Sequence, residues 1–407
     1  MPGHKPGNQT QGAAPGDLAG RAHSYFDRER VRALIEDKVV MVTGAAGSIG
    51  SELCHQIAEL RPRTLVGFDQ AETPLFHLER ELAGSFPGLD FATQIGDITR
   101  FADVNGVMRE YRPSVVFHAA AYKHVPMMES QVFAAVESNI FGTWQIALAA
   151  STHGVEYFVL ISTDKVVRSA SIMGATKRVA EVVVGALQKK TGTEFIAVRF
   201  GNVIGSSGSV VSIFKDQIAA GGPVTVTHPE MRRYFMTATE AGPFLLEALA
   251  YGKGGDILVL DMGEPVEIVD LAWSLISQSG LQPERDIKVE FPGVRPGEKL
   301  FEELNLQAEH LTSTAHPRIQ RSIQPVHAGK AQVKDYLRRF RQVCETRDAT
   351  RLMPLLKRLI PDYNPGVRDE QSHLRSSQSL RFDPVQHTAA QSGLSVPVPQ
   401  MTVARPS

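Results

Sequence analysis

The stretch Thr43-Gly44-Ala45-Ala46-Gly47-Ser48-Ile49-Gly50 decides the predicted fold. An apolar β-branched run, residues 39–43, precedes it, and a helical pattern over residues 51–60 follows. Glycines between a strand and a helix let the backbone approach a pyrophosphate closely, and the helix N-terminus offers N–H groups with partial positive charge. The stretch predicts a dinucleotide-binding turn, a tight turn without ligand being the alternative, and its predicted cofactor contacts are Gly44, Gly47, Ser48, Ile49 and Gly50.

Residues farther along match the rest of a dinucleotide site. Asp69 ends the second predicted strand; a carboxylate there accepts hydrogen bonds from the adenosine ribose and repels a 2′-phosphate, which favours NAD over NADP. Asp97 and Ile98 follow the third strand and are expected beside the adenine, although an ordinary turn explains their spacing equally well. Small residues after the fourth strand suit either close passage of the cofactor or core packing: Ala119, Ala120 and Ala121.

Around this turn, β-branched runs alternate with helical patterns. The predicted strands are residues 39–43, 64–68, 91–95, 115–118, 157–161, 195–199 and 257–260. Such alternation predicts βαβ crossovers and a parallel sheet with helices on both faces. We therefore expect an α/β fold with a doubly wound parallel sheet of the Rossmann type.

The predicted domains follow from changes in composition. Beyond residue 203 the chain becomes rich in Gly and Pro, which indicates a smaller, discontinuous substrate domain. Two terminal segments are poor in large apolar residues and are expected to be disordered. The boundaries are 1–28 for the N-terminal arm, 29–203 with about 235–262 for the NAD-binding domain, 204–234 with 263–325 for the smaller second domain, 326–365 for C-terminal helices and 366–407 for the tail.

Composition narrows the function classes. The 407 residues are 43% hydrophobic and carry a net charge of −1, so the chain lacks the basic surplus typical of nucleic-acid-binding proteins. Two cysteines, Cys54 and Cys344, are too few for a disulfide framework, and the histidines show no metal-ligand spacing. Neither a signal peptide nor a membrane span is visible. We expect a cytoplasmic protein without a metal or nucleic-acid partner.

A polar cluster follows the fifth strand. Ser162-Thr163-Asp164-Lys165 ends that strand, and Met173-Gly174-Ala175-Thr176-Lys177 opens an apolar helix. Ligands of open α/β sheets gather outside the carboxyl ends of the strands, so the cluster is well placed for chemistry, although solvated surface charges explain it equally well. Neighbouring strand residues point to opposite faces, so Asp164 and Lys165 reach one substrate only if the strand ends near Thr163.

These segments resemble the extended short-chain dehydrogenases, and within them the bacterial polysaccharide-biosynthesis group of UDP-N-acetylglucosamine 4,6-dehydratases. The resemblance covers about residues 30–365. The matching segments are TGAAGSIGSEL (43–53), HAAAYKHVPMMES (118–130), ISTDKVV (161–167), MGATKRVAE (173–181), VRFGNVIGSSGSVV (198–211), THPEMRRYFMT (227–237), LDMGEPVEIVDLA (260–272) and GVRPGEKLFEEL (293–304).

The resemblance implies NAD-dependent dehydration of UDP-N-acetylglucosamine. Lys165 would be the base at carbon 5, Asp164 the acid for the leaving hydroxyl and Thr163 a hydrogen-bond partner near the 4-hydroxyl. We expect burial to favour the uncharged forms of Asp164 and Lys165. Ser162 and Lys177 are expected at the cofactor. Met173 stands where most of the superfamily carry Tyr, so the base for the 4-hydroxyl is a water, Asp164 or the substrate.

The same resemblance implies a set of residues that bind the nucleotide sugar. Arginine suits a diphosphate because its fork binds oxygens bidentately, although surface arginines are often merely solvated. Lys123 and His124 are expected in the active-site floor, and Asn139 matches a position that buttresses the fourth and fifth strands. The residues expected at the UDP moiety are Asn202, Arg233, Arg295 and, nearby, Glu298.

Several alternatives stay open from sequence. The rivals are a 5-inverting 4,6-dehydratase, a UDP-sugar 4-epimerase and a non-catalytic NAD-binding sensor, the last favoured by the missing Tyr. The run 141–148 and the helix after Met173 suit either a homo-oligomer contact or a cover for the sheet. Large family members carry an N-terminal membrane half that this sequence lacks, so a lipid-bound role is not expected. Residues 168–171 replace a more usual proline-containing loop.

Overall fold

The computed structural model describes residues 26–188, 192–305, 310–323 and 329–365. The predicted tail, 366–407, and nearly all of the predicted arm, 1–28, lie outside these residues. The first helix begins one residue earlier than the predicted boundary, because Asp27 caps it by accepting a hydrogen bond from the backbone N–H of Arg30 at 3.1 Å.

The strands confirm the predicted sheet. All seven predicted strands are present, β2 and β6 each one residue longer than expected. The strands of the described residues are β1 Val39–Thr43, β2 Thr64–Asp69, β3 Phe91–Ile95, β4 Val115–His118, β5 Tyr157–Ile161, β6 Glu194–Arg199, β7 Asn202–Ile204, β8 Val224–Thr225, β9 Arg232–Arg233, β10 Phe235–Thr237, β11 Ile257–Leu260, β12 Val266–Glu267, β13 Val289–Glu290, β14 His310–Ser313 and β15 Ile319–Ile323.

The main sheet has nine strands in the order β14-β15-β11-β6-β5-β4-β1-β2-β3. The seven strands from β11 to β3 are parallel, whereas β14 and β15 add an antiparallel hairpin at one edge. This hairpin was not predicted from the sequence. The order reverses at β1 and β4, the type of switch point where α/β sheets bind ligands.

Helices of the described residues cover both faces of the sheet. They are α1 Arg28–Ile35, α2 Ser48–Ala58, α3 Glu72–Ser85, α4 Phe101–Tyr111, α5 Val125–Ser130, α6 Val132–Ala135, α7 Thr143–Thr152, α8 Ile172–Gln188, α9 Val210–Ala219, α10 Ala238–Tyr251, α11 Ile268–Gln278, α12 Lys330–Thr346 and α13 Ala349–Leu359. A π-helical segment, Val136–Gly142, joins α6 to α7, and a 3₁₀ turn, Asp164–Val166, follows β5. None of these helices is long and apolar enough to cross a bilayer.

Strand β1 shows why the sheet is buried on both faces. All five of its residues are buried. Val40 and Val42 belong to one apolar core with α2, α3 and α10, and Val39 and Met41 to another with α4, α7 and α8. A continuous β-branched run is the sequence that such a doubly covered strand requires.

Two further cores lie outside the sheet. The segments predicted as a second domain contribute a smaller core from α9, α11 and the short strands around them. Helices α12 and α13 pack through apolar faces onto α8 and the π-helical segment, and we call this the C-terminal apolar cluster. It buries Val179 and Val183 of α8 within the chain, so this part of α8 covers the body rather than facing another subunit.

Candidate active site

The glycine-rich turn after β1 closes tightly against its surroundings. Gly44 has φ +68°, and a Cβ there would lie 2.6 Å from the backbone nitrogen of Ala120. A Cβ on Gly50 would lie 2.0 Å from the carbonyl oxygen of Gly44. Gly47 is the N-cap of α2, and no side chain of the described residues caps this helix end. The first N–H groups of α2 therefore stay available to an anion.

Replacing Gly50 with alanine is expected to destabilise the fold by about 3 kcal/mol, because the new Cβ overlaps backbone that cannot move freely. Gly84 offers a matched control, since it also lies in a helix but, apart from its own helix backbone and chain neighbours, no heavy atom of the described residues lies within 4 Å of its missing Cβ. Gly84→Ala should be neutral or stabilising by about 0.5 kcal/mol. Urea unfolding measures both, and equal midpoints for the two variants would refute the tight closure.

A cleft of about 790 Å³ brings most of the predicted cofactor residues together. Asp69 is fixed by two hydrogen bonds of 2.9 Å, which it accepts from the backbone N–H groups of Ala46 and Ala71. Asp97 accepts one from the N–H of Thr99 at 2.8 Å. The predicted residues in the lining are Gly44, Gly47, Asp69, Asp97, Ile98, Ala119, Ala120 and Ala121. The uncapped helix end and the carboxylate fit the pyrophosphate and ribose of a dinucleotide.

Other predicted cofactor residues do not line this cleft. Ser48 Oγ accepts a hydrogen bond from the backbone N–H of Ser207 at 3.0 Å, which ties the turn to the second domain. Ile49 packs against the first core. The hydroxyl of Ser162 donates to buried Glu181 at 2.7 Å, so the contact predicted between Ser162 and the cofactor is not supported.

The strand end meets the condition set by the sequence. Strand β5 stops at Ile161, and the chain turns into the 3₁₀ segment at Asp164. Lys165 Nζ donates to Asp164 Oδ1 at 2.9 Å and to Asn202 Oδ1 at 3.0 Å. Thr163 Oγ1 donates to the same Asp164 oxygen at 2.9 Å. The three predicted polar residues thus form one cluster with Asn202.

One oxygen of this cluster stands out. Asp164 is 0% exposed, and its Oδ2 has no hydrogen-bond partner among the described residues. A buried carboxylate oxygen without a donor costs about 1–3 kcal/mol, more when it is charged. Lys165 beside it keeps 17% of its side chain exposed. The pair therefore combines a buried acceptor with an amine that a ligand can reach.

Lys177 and Met173 lie on α8 behind the cluster. Lys177 is buried, and its Nζ donates to the carbonyl of Ile161 at 2.6 Å. Burial lowers the pKa of Lys177 to about 8, against the opposing charge of Glu181. Met173 is buried within the C-terminal apolar cluster. A thioether in such a place has no acid or base role.

A buried ion network supports the strand end. Arg199 binds Glu181 through two hydrogen bonds of 2.8 Å, and Arg178 adds a third at 2.7 Å. Burial raises the pKa of Glu181, but the two arginines and Ser162 outweigh burial and lower this pKa to about 2. The network lies between β5, β6 and α8, and it holds the elements that carry Thr163 and Lys177.

Of the residues predicted in the floor of the site, some make structural contacts within the chain. Lys123 and His124 are exposed after β4, and a Cβ on Gly208 would lie 2.7 Å from the His124 ring, so this ring contacts the second domain. Asn139 is buried and joins that loop to α8. Its side chain accepts from the N–H of Tyr122 at 2.9 Å and donates to Thr176 Oγ1 at 3.1 Å. These contacts give Asn139 a bracing role and do not support direct substrate binding.

The two arginines predicted to bind phosphate lie in different surroundings, one bound to backbone carbonyls and one exposed. The guanidinium of Arg233 donates to the carbonyls of Leu300 at 3.1 Å and Lys299 at 2.8 Å. These contacts tie β9 to the 293–304 segment, so they do not support a phosphate-binding role for Arg233. Arg295 is 53% exposed and pairs with Glu298 at 2.6 Å. That pair stays at the surface, where its predicted contact with UDP remains a prediction.

Sequence reasoning missed Glu302. Its carboxylate lies 3.8 Å from Arg233 Nε, and its Oε2 is buried without a hydrogen-bond partner in the described residues. Burial raises the pKa of Glu302, and the charges of Lys165 and Asp164 act on it. The only signal was its place in the 293–304 segment, which does not show that the side chain turns inward.

Known proteins extend this picture. The chain is 48% identical over 316 residues to the probable polysaccharide biosynthesis protein EpsC of Bacillus subtilis, covering 77% of this chain and 52% of that protein. It is 48% identical over 290 residues to the capsular polysaccharide biosynthesis protein CapD of Staphylococcus aureus, covering 71% and 48%. It thus spans about half the length of these relatives. A UDP-glucose 4-epimerase of Rickettsia canadensis is 32% identical over 280 residues, covering 66% and 77%.

Solved structures share the fold. Pen from Bacillus thuringiensis matches with a TM-score of 0.67 and 32% identity over 72% of this chain and 89% of that one. DesIV, a dTDP-glucose 4,6-dehydratase from Streptomyces venezuelae with NAD and TYD bound, matches with a TM-score of 0.58 and 19% identity over 66% and 88%. The model of the family described as polysaccharide biosynthesis protein matches residues 40–324. These residues include the glycine-rich turn, the Asp164–Lys165 pair and the 293–304 segment. The chain therefore belongs to the polysaccharide biosynthesis protein family.

Proposed function

We propose that the protein converts UDP-N-acetylglucosamine to UDP-2-acetamido-2,6-dideoxy-4-keto-hexose, a 4,6-dehydration that supplies modified sugars for polysaccharide or glycan synthesis. The observation that carries this proposal is the Asp164–Lys165 pair at the end of β5, hydrogen-bonded at 2.9 Å. Removal of water from a sugar needs one acid and one base near the same substrate. A hydride transfer at carbon 4 alone needs a base for the 4-hydroxyl but no acid for a leaving 6-hydroxyl.

The proposed cofactor is NAD. Its support comes from the uncapped N-terminus of α2 and from Asp69 in the cleft, which suit a pyrophosphate and an unphosphorylated ribose. The chemistry that bound NAD supplies is reversible hydride transfer, away from carbon 4 of the sugar at the start and onto carbon 6 at the end. Everything else must come from side chains of the chain.

The Asp164–Lys165 pair can supply both proton transfers. Movement of one proton along the 2.9 Å hydrogen bond turns a carboxylate and an ammonium into a carboxylic acid and an amine. Lys165 then removes the carbon-5 proton, which the neighbouring ketone has made acidic, and Asp164 protonates the leaving 6-hydroxyl.

Neighbouring residues orient the pair. Asn202 on β7 accepts a hydrogen bond from Lys165 Nζ, and Thr163 donates to Asp164 Oδ1, which leaves Asp164 Oδ2 without a partner among the described residues. Once Asp164 is protonated, this oxygen can donate to the oxygen of the leaving 6-hydroxyl, as the proposed acid must. The base for the 4-hydroxyl is then a water or the substrate, because Met173 carries no ionisable group.

A UDP-sugar 4-epimerase is the second candidate, favoured by the similarity to the Rickettsia canadensis enzyme. Epimerisation at carbon 4 returns the hydride to that carbon and loses no water. It needs proton transfer at the 4-hydroxyl but no acid for a leaving 6-hydroxyl. The dehydratase accounts for both members of the pair, which is why we prefer it.

Purified protein incubated with UDP-N-acetylglucosamine and no added cofactor should yield a nucleotide sugar lighter by one water, with a new methyl doublet in the proton NMR spectrum. Conversion without added NAD would mean that the cofactor is carried along and regenerated in each turnover. Mass spectrometry follows the loss of water, and the carbon-5 coupling reports the configuration. An isomer of unchanged mass supports the epimerase, and an unchanged substrate with NAD present supports the sensor.

A further inference from the structure

The cleft that holds Asp69 and Asp97 has a second wall, contributed by α12. This helix lies at residues 330–346, whereas the family match ends at residue 324. The residues at its C-terminal end that line the cleft are Arg341, Cys344, Glu345 and Arg347. Facing them, the lining includes Ala134, Glu137, Ser138, Phe141 and Gln145. The adenosine end of the cleft is therefore bounded by a helix outside the matched region.

Helix α12 is firmly anchored in this position. Its apolar face, with Val333, Leu337 and Phe340, is buried in the C-terminal apolar cluster. Arg347 forms an ion pair with Glu137 at 3.3 Å and lies 5.1 Å from the centre of the Phe133 ring. These contacts hold the end of α12 at the edge of the cleft instead of leaving it free to swing away.

The side chains on this wall suit an adenosine. The guanidinium carbon of Arg341 lies 5.3 Å from the centre of the Phe141 ring, and both residues line the cleft. A planar guanidinium stacks on an aromatic base and donates hydrogen bonds to its ring nitrogens. Glu345 adds a carboxylate that can accept from an exocyclic amine.

We propose that the C-terminal end of α12 is part of the cofactor site, with Arg341 and Arg347 contacting the adenosine half of NAD and enclosing it against Asp97 and Ile98. This inference rests on the cofactor of the proposed function but not on the sugar or the reaction. Its consequence is that the dinucleotide is retained through many turnovers, as a cofactor that is regenerated in place requires.

Two fragments of NAD can distinguish a role of α12 in adenosine binding from a general loss of folded structure. The test uses the full chain, stripped of bound nucleotide, and calorimetric titration with ADP-ribose or with nicotinamide mononucleotide. The double variant Arg341→Ala, Arg347→Ala should weaken ADP-ribose binding about tenfold and change nicotinamide mononucleotide binding less than about twofold. Arg338→Ala, Arg339→Ala is the matched control, since both arginines pair with Asp335 on the exposed side of α12, and it should change neither.

Several results would overturn the inference. Unchanged ADP-ribose affinity in the double variant, or an equal loss for both fragments, would mean that α12 does not recognise adenosine. If the unaltered protein binds neither fragment, the proposed cofactor fails and this inference with it. The single variant Arg341→Ala keeps the Arg347–Glu137 pair, so it covers the case in which the double variant does not fold, and it should weaken ADP-ribose about threefold.

Discussion

Replacing Lys165 with methionine is expected to lower kcat for dehydration by about a thousandfold or more, because no other amine of the cluster stands in its place to remove the carbon-5 proton. Lys165→Arg should lose nearly as much, since a guanidinium keeps the charge and the hydrogen bonds but cannot act as a base. Bound NAD, measured after acid release, should remain at the level of the unaltered protein in both variants.

The control for this prediction is Lys215→Met, which removes an exposed lysine of α9 and should leave kcat within about twofold. Asp164→Asn provides a complementary test, because it removes the acid but keeps a side chain of the same size. Rates for the Lys165 variants within tenfold of the unaltered protein would show that the base lies elsewhere, and the roles proposed for the pair would have to be abandoned.

Replacing Glu181 with leucine is expected to destabilise the protein by about 3–5 kcal/mol, because it removes the carboxylate that two buried arginines share. Glu181→Gln should cost less, since its amide oxygen still accepts one hydrogen bond. Urea unfolding at pH 7 measures both. The exposed Glu110→Gln on α4 is the control and should shift the free energy of unfolding by no more than about 0.5 kcal/mol.

The pH dependence of this effect has a defined sign. The pKa of Glu181 is about 2 in the folded protein and 4.5 in a free side chain. A lowered carboxyl pKa contributes stability above 4.5, and that contribution is lost as the pH falls towards about 2. The difference between the unaltered protein and Glu181→Gln should therefore shrink over this interval. A difference that stays constant from pH 6 to pH 3 would argue against the ion network as its source.

The strands and the glycine-rich turn could be predicted because their signals are local. Val39–Thr43 is an uninterrupted apolar run that only a doubly covered strand buries fully, and Gly44 and Gly50 stand where a Cβ would overlap backbone. The break at the end of β5 was also predictable, from the requirement that two successive side chains reach one ligand. The β14–β15 hairpin lacked such a signal, since its half-exposed, polar sequence has little apolar alternation.

Side-chain direction was much harder to predict. Ser162 and Arg233 lie in the matching segments, yet they donate hydrogen bonds to internal partners, Glu181 and the carbonyl of Lys299. Asn139, outside those segments, likewise donates to Thr176. A segment match gives the position of a residue in the chain. Whether its polar atoms point to a ligand depends on which buried partner the tertiary packing brings nearby.

Long-range contacts account for what the sequence missed. The apolar face of α12 predicts a helix that packs on the body, but the packing partner decides where its polar end lies. Arg341 lines the cleft only because α12 docks on α8 and on the π-helical segment, far from it in the chain. Glu302 likewise comes near Asp164 through the fold of the second domain.

The central claim is that hydride leaves carbon 4, water is lost across carbons 5 and 6, and the hydride returns at carbon 6. The direct test is a single incubation of the protein with UDP-N-acetylglucosamine carrying deuterium at carbon 4. The account predicts a product lighter by one water whose methyl group carries the deuterium. Deuterium still at carbon 4 of an isomer with unchanged mass, or lost to the solvent, would contradict it.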